Sequence, residues 1–288
     1  SGIDWCIQNG ADVLSMSFGG PGTSDDALSK YVDLAVDAGQ VVVIAAGNSG
    51  PGGDLNCGTH GDGSSSICSP GLAHKVITAG STKKNDDITS FSSRGPIDDG
   101  RIKPDVAAPG QSITSAGRTG GWISMSGTSM ATPTVSGLAA LLKQKNPGWS
   151  PLEIKHALRS TAKDIGLDAT AQGHGIINIM KAIQLSNPAI AILHPPYLQR
   201  QLIITKIKGT AKANGIIGYT LYYKEGRNTI RDALSMDWKV ICSGNGEVID
   251  GNLCDWDTSQ LEGAYTLKLE VKTQDTIARD FKLIAVNK

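Results

Sequence analysis

Two kinds of apolar spacing divide this chain. Up to about residue 186, short and nearly continuous apolar runs alternate with segments whose apolar positions recur every three or four residues; from about residue 190 they recur every second residue. The runs VVVIAA at 41–46 and KVITAG at 75–80 read as parallel strands covered on both faces, because a strand buried on both sides has no polar face to alternate. Residues 2–9 read as the end of a helix, and 12–18 as a short strand closed by Gly19, Gly20 and Pro21. A second helix is expected with Ser24 as N-cap, Asp25 and Asp26 in its first turn, Leu28, Tyr31, Val32, Ala35 and Val36 as its buried stripe, and Gly39 ending it. After a loop-rich stretch at 92–127, residues 129–145 read as a long helix with Val135, Leu138, Ala139, Leu141 and Leu142 apolar. Another helix is expected at 151–161, with Ser150 and Pro151 in the N-cap and first positions. Strand, helix, strand repetition implies an α/β core, a parallel sheet flanked by helices with right-handed crossovers.

The pattern changes near Asn187 and Pro188. QLIITKIKG, IIGYTLYYK, WKVICSG and AYTLKLEVK alternate with period two between Gly/Asn turns, which predicts a C-terminal all-β sandwich of about 100 residues. A length of 288 residues agrees with two domains, since a single core stops growing at a few hundred residues. The expected division is an α/β domain over 1–186 and a sandwich of immunoglobulin or fibronectin type over 187–288.

Charge and composition narrow the partners. Lys and Arg number 27, as do Asp and Glu, so the formal charge is zero and there is no electrostatic footprint for nucleic acid or an anionic membrane. The apolar runs fall far short of the roughly 18 residues a membrane span needs, so no span is expected. Five cysteines fall as Cys6 alone, Cys57 with Cys68, and Cys242 with Cys254, for which two disulfides and one free thiol is the simplest reading. Reduced or metal-binding thiols remain the alternative, because spacing alone never proves a bridge, although no CxxC spacing favours zinc. A bridge in the Gly/Ser-rich loop around Cys57 points to an oxidising, extracellular compartment. The chain opens without an initiator methionine, a helix running straight into a strand, so it is expected to be a piece of something longer.

Three segments carry candidate chemistry: SMSFGGP at 15–21, AAGNSG at 45–50 and SGTSMATP at 126–133. Ser129 falls at the N-terminal tip of a long helix, where unpaired N–H groups and the helix dipole favour developing negative charge. Pro133 has no N–H for the carbonyl of residue 129, so the first turn around the serine is loosened. Asn48 lies between Gly47 and Gly50, where an amide can donate to an oxyanion and glycine admits another backbone. Taken singly, an N-cap serine and a turn asparagine are the bland readings.

Together and in this order the segments resemble the subtilisin-like serine peptidases, the subtilases. GTSMATP is similar to that family's serine motif almost letter for letter, AAGNSG to its oxyanion-asparagine motif, and SMSFGGP to the strand lining the non-primed substrate cleft. FSSRGP at 91–96, KPDVAAPG at 103–110 and GHGIINIMKA at 173–182 resemble further signatures in the expected order, so the likeness covers about residues 1–186. It implies a subtilisin-like fold and an endopeptidase acting on protein or peptide substrates. Ser129 would be the nucleophile, and Asn48 with the Ser129 N–H the oxyanion hole. Substrate would add as a strand between Ser17, Phe18 and Gly19 on one side and Ala45, Ala46 and Gly47 on the other.

The resemblance requires no cofactor and assigns no metal, though it leaves room for a structural calcium ion near Gly71, Ala73 and Val76, where related enzymes coordinate cations through backbone carbonyls. The sandwich resembles modules appended to secreted subtilases. The family's aspartate and histidine precede the substrate strand, so they are expected on a missing N-terminal segment, and the chain alone is expected to be inactive. His60, His74, His156, His174 and His194 match no catalytic position and read as surface or packing residues. A non-enzymatic binding protein on the same scaffold is the rival reading, which intact Ser129 and Asn48 oppose. An α/β-hydrolase esterase is set aside, because Ala131 stands where the G-x-S-x-G elbow needs its last glycine.

Overall fold

The structure, a computed structural model, describes residues 2–52, 57, 65–194, 204–226 and 237–286. The chain divides into two compact units, Ser1–Asp98 with Lys103–Ile183, and Asp99–Ile102 with Gln184–Lys288.

The first unit is built on a four-stranded parallel sheet, β1 (Val13–Met16), β2 (Val41–Ala45), β3 (Ile77–Thr82) and β4 (Val106–Pro109), in that spatial order. All five positions of β2 are buried, as its unbroken apolar run requires, and each Val or Ile so placed contributes roughly 1.5–3 kcal/mol of transfer free energy. Helices α1 (Gly2–Gln8) and α2 (Ala27–Asp37) precede β1 and β2 respectively. Leu14 and Met16 of β1 join Val42 and Ile44 of β2 and Val32, Ala35 and Val36 of α2 in one apolar cluster. Because successive strand residues face opposite ways, Ser15 points to the other side, where its hydroxyl meets that of Ser136 at 2.9 Å. Ser136 belongs to α3 (Thr128–Lys145), whose buried positions Thr128, Ala131, Thr132, Val135, Ser136, Leu138, Ala139 and Leu142 recur every three or four residues. The small ones among them, Thr128, Ala131, Thr132, Ser136 and Ala139, let the helix lie close against the sheet. Helix α4 (Pro151–Thr161) begins with Ser150 as N-cap and Pro151 in its first turn, as expected, Glu153 returns the bond to complete a capping box, and the short helices α5 (Ala169–Gln172) and α6 (Ile179–Gln184) follow.

Several local expectations shift. Asp26, not Ser24, caps α2: its carboxylate accepts from Ser29 N–H at 2.7 Å and Thr23 N–H at 3.0 Å, while Ser24 is buried ahead of the helix. The buried stripe therefore starts at Ser29, and Leu28 is left 38% exposed. Leu141 of α3 also faces solvent. The stretch read as loop-rich contains β4 and a hairpin, β5 (Ile113–Ala116) with β6 (Trp122–Met125). The hairpin escapes a period-two reading because β6 is exposed at every position and β5 at all but one.

A charged cluster closes the amino end of β3 and β4. Asp105 is buried, accepts from Lys103 Nζ at 2.7 Å and from Thr78 N–H at 2.9 Å, and pairs with Lys155 Nζ at 3.3 Å. The same ammonium groups donate to the Val76 carbonyl, Lys155 at 2.8 Å and Lys103 at 3.2 Å, so backbone and side-chain charges are satisfied together. Although burial opposes ionisation, Lys103 and Lys155 hold the Asp105 carboxyl far below the usual range.

Beside this cluster His156 is fully buried, with neither ring nitrogen hydrogen-bonded among the described residues. Burial first, then the positive Arg159 and Lys155 and the neighbouring His174, push its pKa well below the ordinary 6.5, with Asp105 opposing. Since the unfolded chain takes up this proton below that value and the folded chain does not, the stabilisation is complete above it and lost as pH falls. Unfolding free energy should therefore decline between pH 7 and 5, at up to about 1.4 kcal/mol per pH unit from this one group. His156→Leu should flatten that slope in urea titrations at the two pH values; an unchanged slope counts against the assignment.

The second unit is antiparallel. One sheet runs β11 (Val248–Asp257), β8 (Ile204–Lys212), β7 (Ile190–Leu193); the other runs β10 (Lys239–Gly244), β9 (Gly218–Glu225), β12 (Gly263–Lys272), β13 (Ile277–Val286). Their facing residues, including Leu193, Ile207, Leu221, Leu253, Trp256, Leu267, Leu269 and Val271, form one core, with Tyr223 5.2 Å from Trp256 between ring centres. This is the expected arrangement of an α/β core followed by antiparallel β-sheets. Both predicted disulfides, Cys57–Cys68 and Cys242–Cys254, are present and Cys6 is free. The second bridge joins β10 to β11, which belong to different sheets, so it staples the two layers. The segment NGEVIDGN between its cysteines runs into β11. Of QLIITKIKG, the first three residues lie outside the described residues. Among the described residues no helix is long and apolar enough to cross a membrane.

Candidate active site

At the carboxyl ends of β1 and β2 the chain leaves the sheet, and the amino end of α3 approaches the same place. Open α/β sheets offer clefts at such strand ends. The turn after β2 needs glycine at 47, where φ is +111° and a Cβ would lie 2.6 Å from Cys68 Sγ and 2.8 Å from Ser93 Oγ. That turn delivers Asn48 to the start of α3. Gly127, in the N-cap position, has no side chain to satisfy the first free N–H groups of the helix. Asn48 does so from 80 residues away: its Oδ1 accepts from Thr128 N–H at 2.8 Å and lies 3.1 Å from the Thr128 hydroxyl. The Thr128 hydroxyl in turn accepts from Gly47 N–H at 3.2 Å. With Oδ1 so engaged, the Asn48 amide NH₂ is the free end of the side chain.

Ser129 follows as the second residue of α3, where its own N–H has no intrahelical acceptor. Its hydroxyl lies 3.3 Å from the Ser17 carbonyl, and its carbonyl accepts from the Ser17 hydroxyl at 2.9 Å. Ser129 and Asn48 line a single cavity of about 300 Å³ with Ser17, Phe18, Gly19, Ala45, Gly47, Ser49, Thr128 and the bridged Cys57 and Cys68. Two hydrogen-bond donors, the Asn48 amide and the Ser129 N–H, thus accompany one hydroxyl, with the helix's positive end behind them.

Of the residues expected to bind substrate, Ser17, Phe18, Gly19, Ala45 and Gly47 line the cavity. Phe18 is 56% exposed there, beyond the end of an edge strand. Ala46 is not among the lining residues. Its side chain packs with Ile67, Leu72 and Ile97, its N–H goes to Ala79, and its carbonyl accepts from Cys68. The Gly47 carbonyl likewise accepts from Ser93 N–H, which limits what this wall offers an incoming backbone.

No described lining residue is a histidine or a carboxylate. His74 stands near Asp25 at 3.6 Å, His156 is enclosed in the core, His194 meets Asp250 at 3.0 Å in the second unit, and His174 is tied through its N–H to the Asp105 carbonyl. His60 lies outside the described residues. Sequence reasoning missed Thr128, the hinge between Asn48 and the helix, and the side chain of Ser17. A glycine in the N-cap position was the available signal for Thr128, since it leaves helix donors to be met from elsewhere.

The site thus sets a serine hydroxyl at a helix tip against an anchored amide at the carboxyl ends of parallel strands. The model of the subtilase family of peptidases matches residues 1–175, and the chain belongs to that family. It is 38% identical over 216 residues to serine protease AprX of Bacillus subtilis (strain 168), a match covering 63% of this chain and 46% of AprX. With subtilisin DY of Bacillus licheniformis it shares 41% identity over 184 residues, 64% of this chain and 61% of the relative. The chain thus spans about half the length of the curated relatives it matches. Among solved structures, the prenylagaramide maturation protease PagA superposes with a TM-score of 0.52 at 27% identity, over 63% of this chain and 64% of PagA. The self-cleaved protease domain of PatA gives 0.52 at 28% identity, over 63% and 64% of the two chains.

Proposed function

We propose that this chain carries the nucleophile and oxyanion half of a serine endopeptidase. Ser129 Oγ attacks the scissile carbonyl of a peptide as a general base removes its proton, the carbonyl oxygen gathers charge against the Asn48 amide and the Ser129 N–H, and the C–N bond breaks as the base passes that proton to the leaving amine, giving the acyl-enzyme. Water then releases the acid. The non-primed stretch of substrate lies along Ser17, Phe18 and Gly19 as an added strand. The base and the aspartate that orients it come from residues outside these 288, so the chain by itself does not turn over. The observation that carries this reading is the fixed Asn48 amide, held by Thr128 and sharing one cavity with the Ser129 hydroxyl.

No cofactor enters the reaction. At the carbonyls considered for calcium, Gly71 already accepts from the Thr78 hydroxyl at 2.6 Å and Val76 from two ammonium groups, so this loop is read as held by Lys103 and Lys155 and not by a metal. Two disulfides support an extracellular setting. The β-sandwich, from about residue 187, is read as an accessory domain without a part in the chemistry.

The test is casein hydrolysis by the protein expressed with its upstream sequence. Asn48→Ala should lower kcat by roughly 10²–10³-fold with little change in KM, a size carried over from the same replacement in subtilisin, a family member. The 288-residue chain alone should show no turnover. Full activity in the isolated chain, or in the alanine variant, would overturn the assignment.

A further inference from the structure

We infer that the Ser17 side chain is a positioning residue for the nucleophile's turn, supplying the hydrogen bond that Pro133 cannot. In a regular helix the carbonyl of Ser129 would accept from the N–H of residue 133. Proline has no N–H, and its ring crowds that same carbonyl. The Ser17 hydroxyl takes the vacant role from another element, donating to the Ser129 carbonyl at 2.9 Å.

The geometry around this bond explains why it comes from Ser17. Ser15 and Ser17 lie two residues apart and so share the face of the strand segment turned toward α3. Ser129 and Ser136 lie seven residues, two helical turns, apart and so share one face of the helix. Ser15 meets Ser136 hydroxyl to hydroxyl at 2.9 Å, and Ser17 meets Ser129. The strand and the helix are therefore pinned at two points, and the second is the residue that bears the nucleophile. Asn48 holds the Gly127–Thr128 peptide through the Thr128 N–H, one residue ahead of the nucleophile, and Ser17 holds the carbonyl of Ser129 itself. Pro133 thus exchanges a bond inside the helix for one that ties the nucleophile to the strand along which substrate is proposed to lie.

The kinetic part of this inference rests on the peptidase reading; the structural part does not. Four variants separate them: Ser17→Ala, Ser17→Thr, Pro133→Ala, which restores the missing N–H with a residue helices favour, and the Ser17→Ala/Pro133→Ala double. In the 288-residue chain, Ser17→Ala should lower the thermal midpoint by about 2–4 °C, the shift one hydrogen bond gives at this size, and by less than about half of that when Pro133 is already alanine. In the protein expressed with its upstream sequence, Ser17→Ala should reduce kcat about tenfold with KM within about twofold, Ser17→Thr should stay near wild type, and the loss should shrink in the Pro133→Ala background. Equal losses of midpoint in both backgrounds would overturn the inference. So would a loss confined to KM, which marks Ser17 as a substrate contact only. An inactive wild-type protein would strike the peptidase reading and leave the midpoint comparison in force.

Discussion

Ser129→Ala should reduce kcat of the protein expressed with its upstream sequence by about 10⁶-fold, the loss that removing the nucleophile causes in subtilisin and taken from that relative. The expected KM is nearly unchanged, because the walls of the cavity at Ser17–Gly19 and Ala45 do not depend on this hydroxyl. A residual rate above that in water should survive, since both proposed oxyanion donors, the Asn48 amide and the backbone N–H at 129, remain in place. Labelling by a fluorophosphonate, which reports only on the nucleophile, should disappear altogether. If the alanine variant is still labelled, or still hydrolyses casein at the wild-type rate, Ser129 is not the nucleophile.

The largest effect on stability is expected at the other end of the sheet. Asp105→Asn keeps the shape of the side chain and removes its charge, leaving the buried Lys103 and Lys155 ammonium groups without the carboxylate that balances them. Breaking a buried ion pair from one side costs about 3–5 kcal/mol. An apolar replacement of all three residues would not recover this, because the Thr78 N–H would lose its acceptor on Asp105 and the Val76 carbonyl its donors. The sign with pH follows from the depressed pKa. The Asp105 contribution is present above the unfolded carboxyl value of 3.8 and is lost only as pH falls below it toward the folded value. Urea midpoints at pH 7 should therefore separate wild type from Asp105→Asn by the full amount, and the gap should narrow only in strong acid. A variant as stable as wild type at pH 7 would show that the two lysines find compensation elsewhere.

The parts of the fold that could be read from sequence are those whose physics is local. β2 is a buried strand because five consecutive residues are apolar, and α4 starts where Ser150 and Pro151 place a cap and a preset φ. Ser129 and Asn48 were legible from motifs whose residues sit within a few positions of each other. What was not legible depends on partners distant in sequence. Thr128 acquires its role from Asn48, 80 residues earlier, and Ser17 from Ser129, 112 residues later. Ala46 was expected from its position in AAGNSG to pair its backbone with substrate, but its N–H and carbonyl are taken by Ala79 and Cys68, partners distant in sequence. The hairpin β5–β6 stayed hidden because neither strand has a clear buried face, and that the Cys242–Cys254 bridge crosses between two sheets is not written in the spacing of two cysteines.

The lock between Asn48 and Thr128 has a kinetic meaning. In the proposed reaction, an amide fixed by Thr128 before any peptide arrives need not reorient as charge builds, so the work of alignment is done when the chain folds. Substitutions that merely slacken this corner, such as Thr128→Ala, should therefore register in turnover well before they register in melting temperature, and protein that looks intact by calorimetry can still be a poor catalyst.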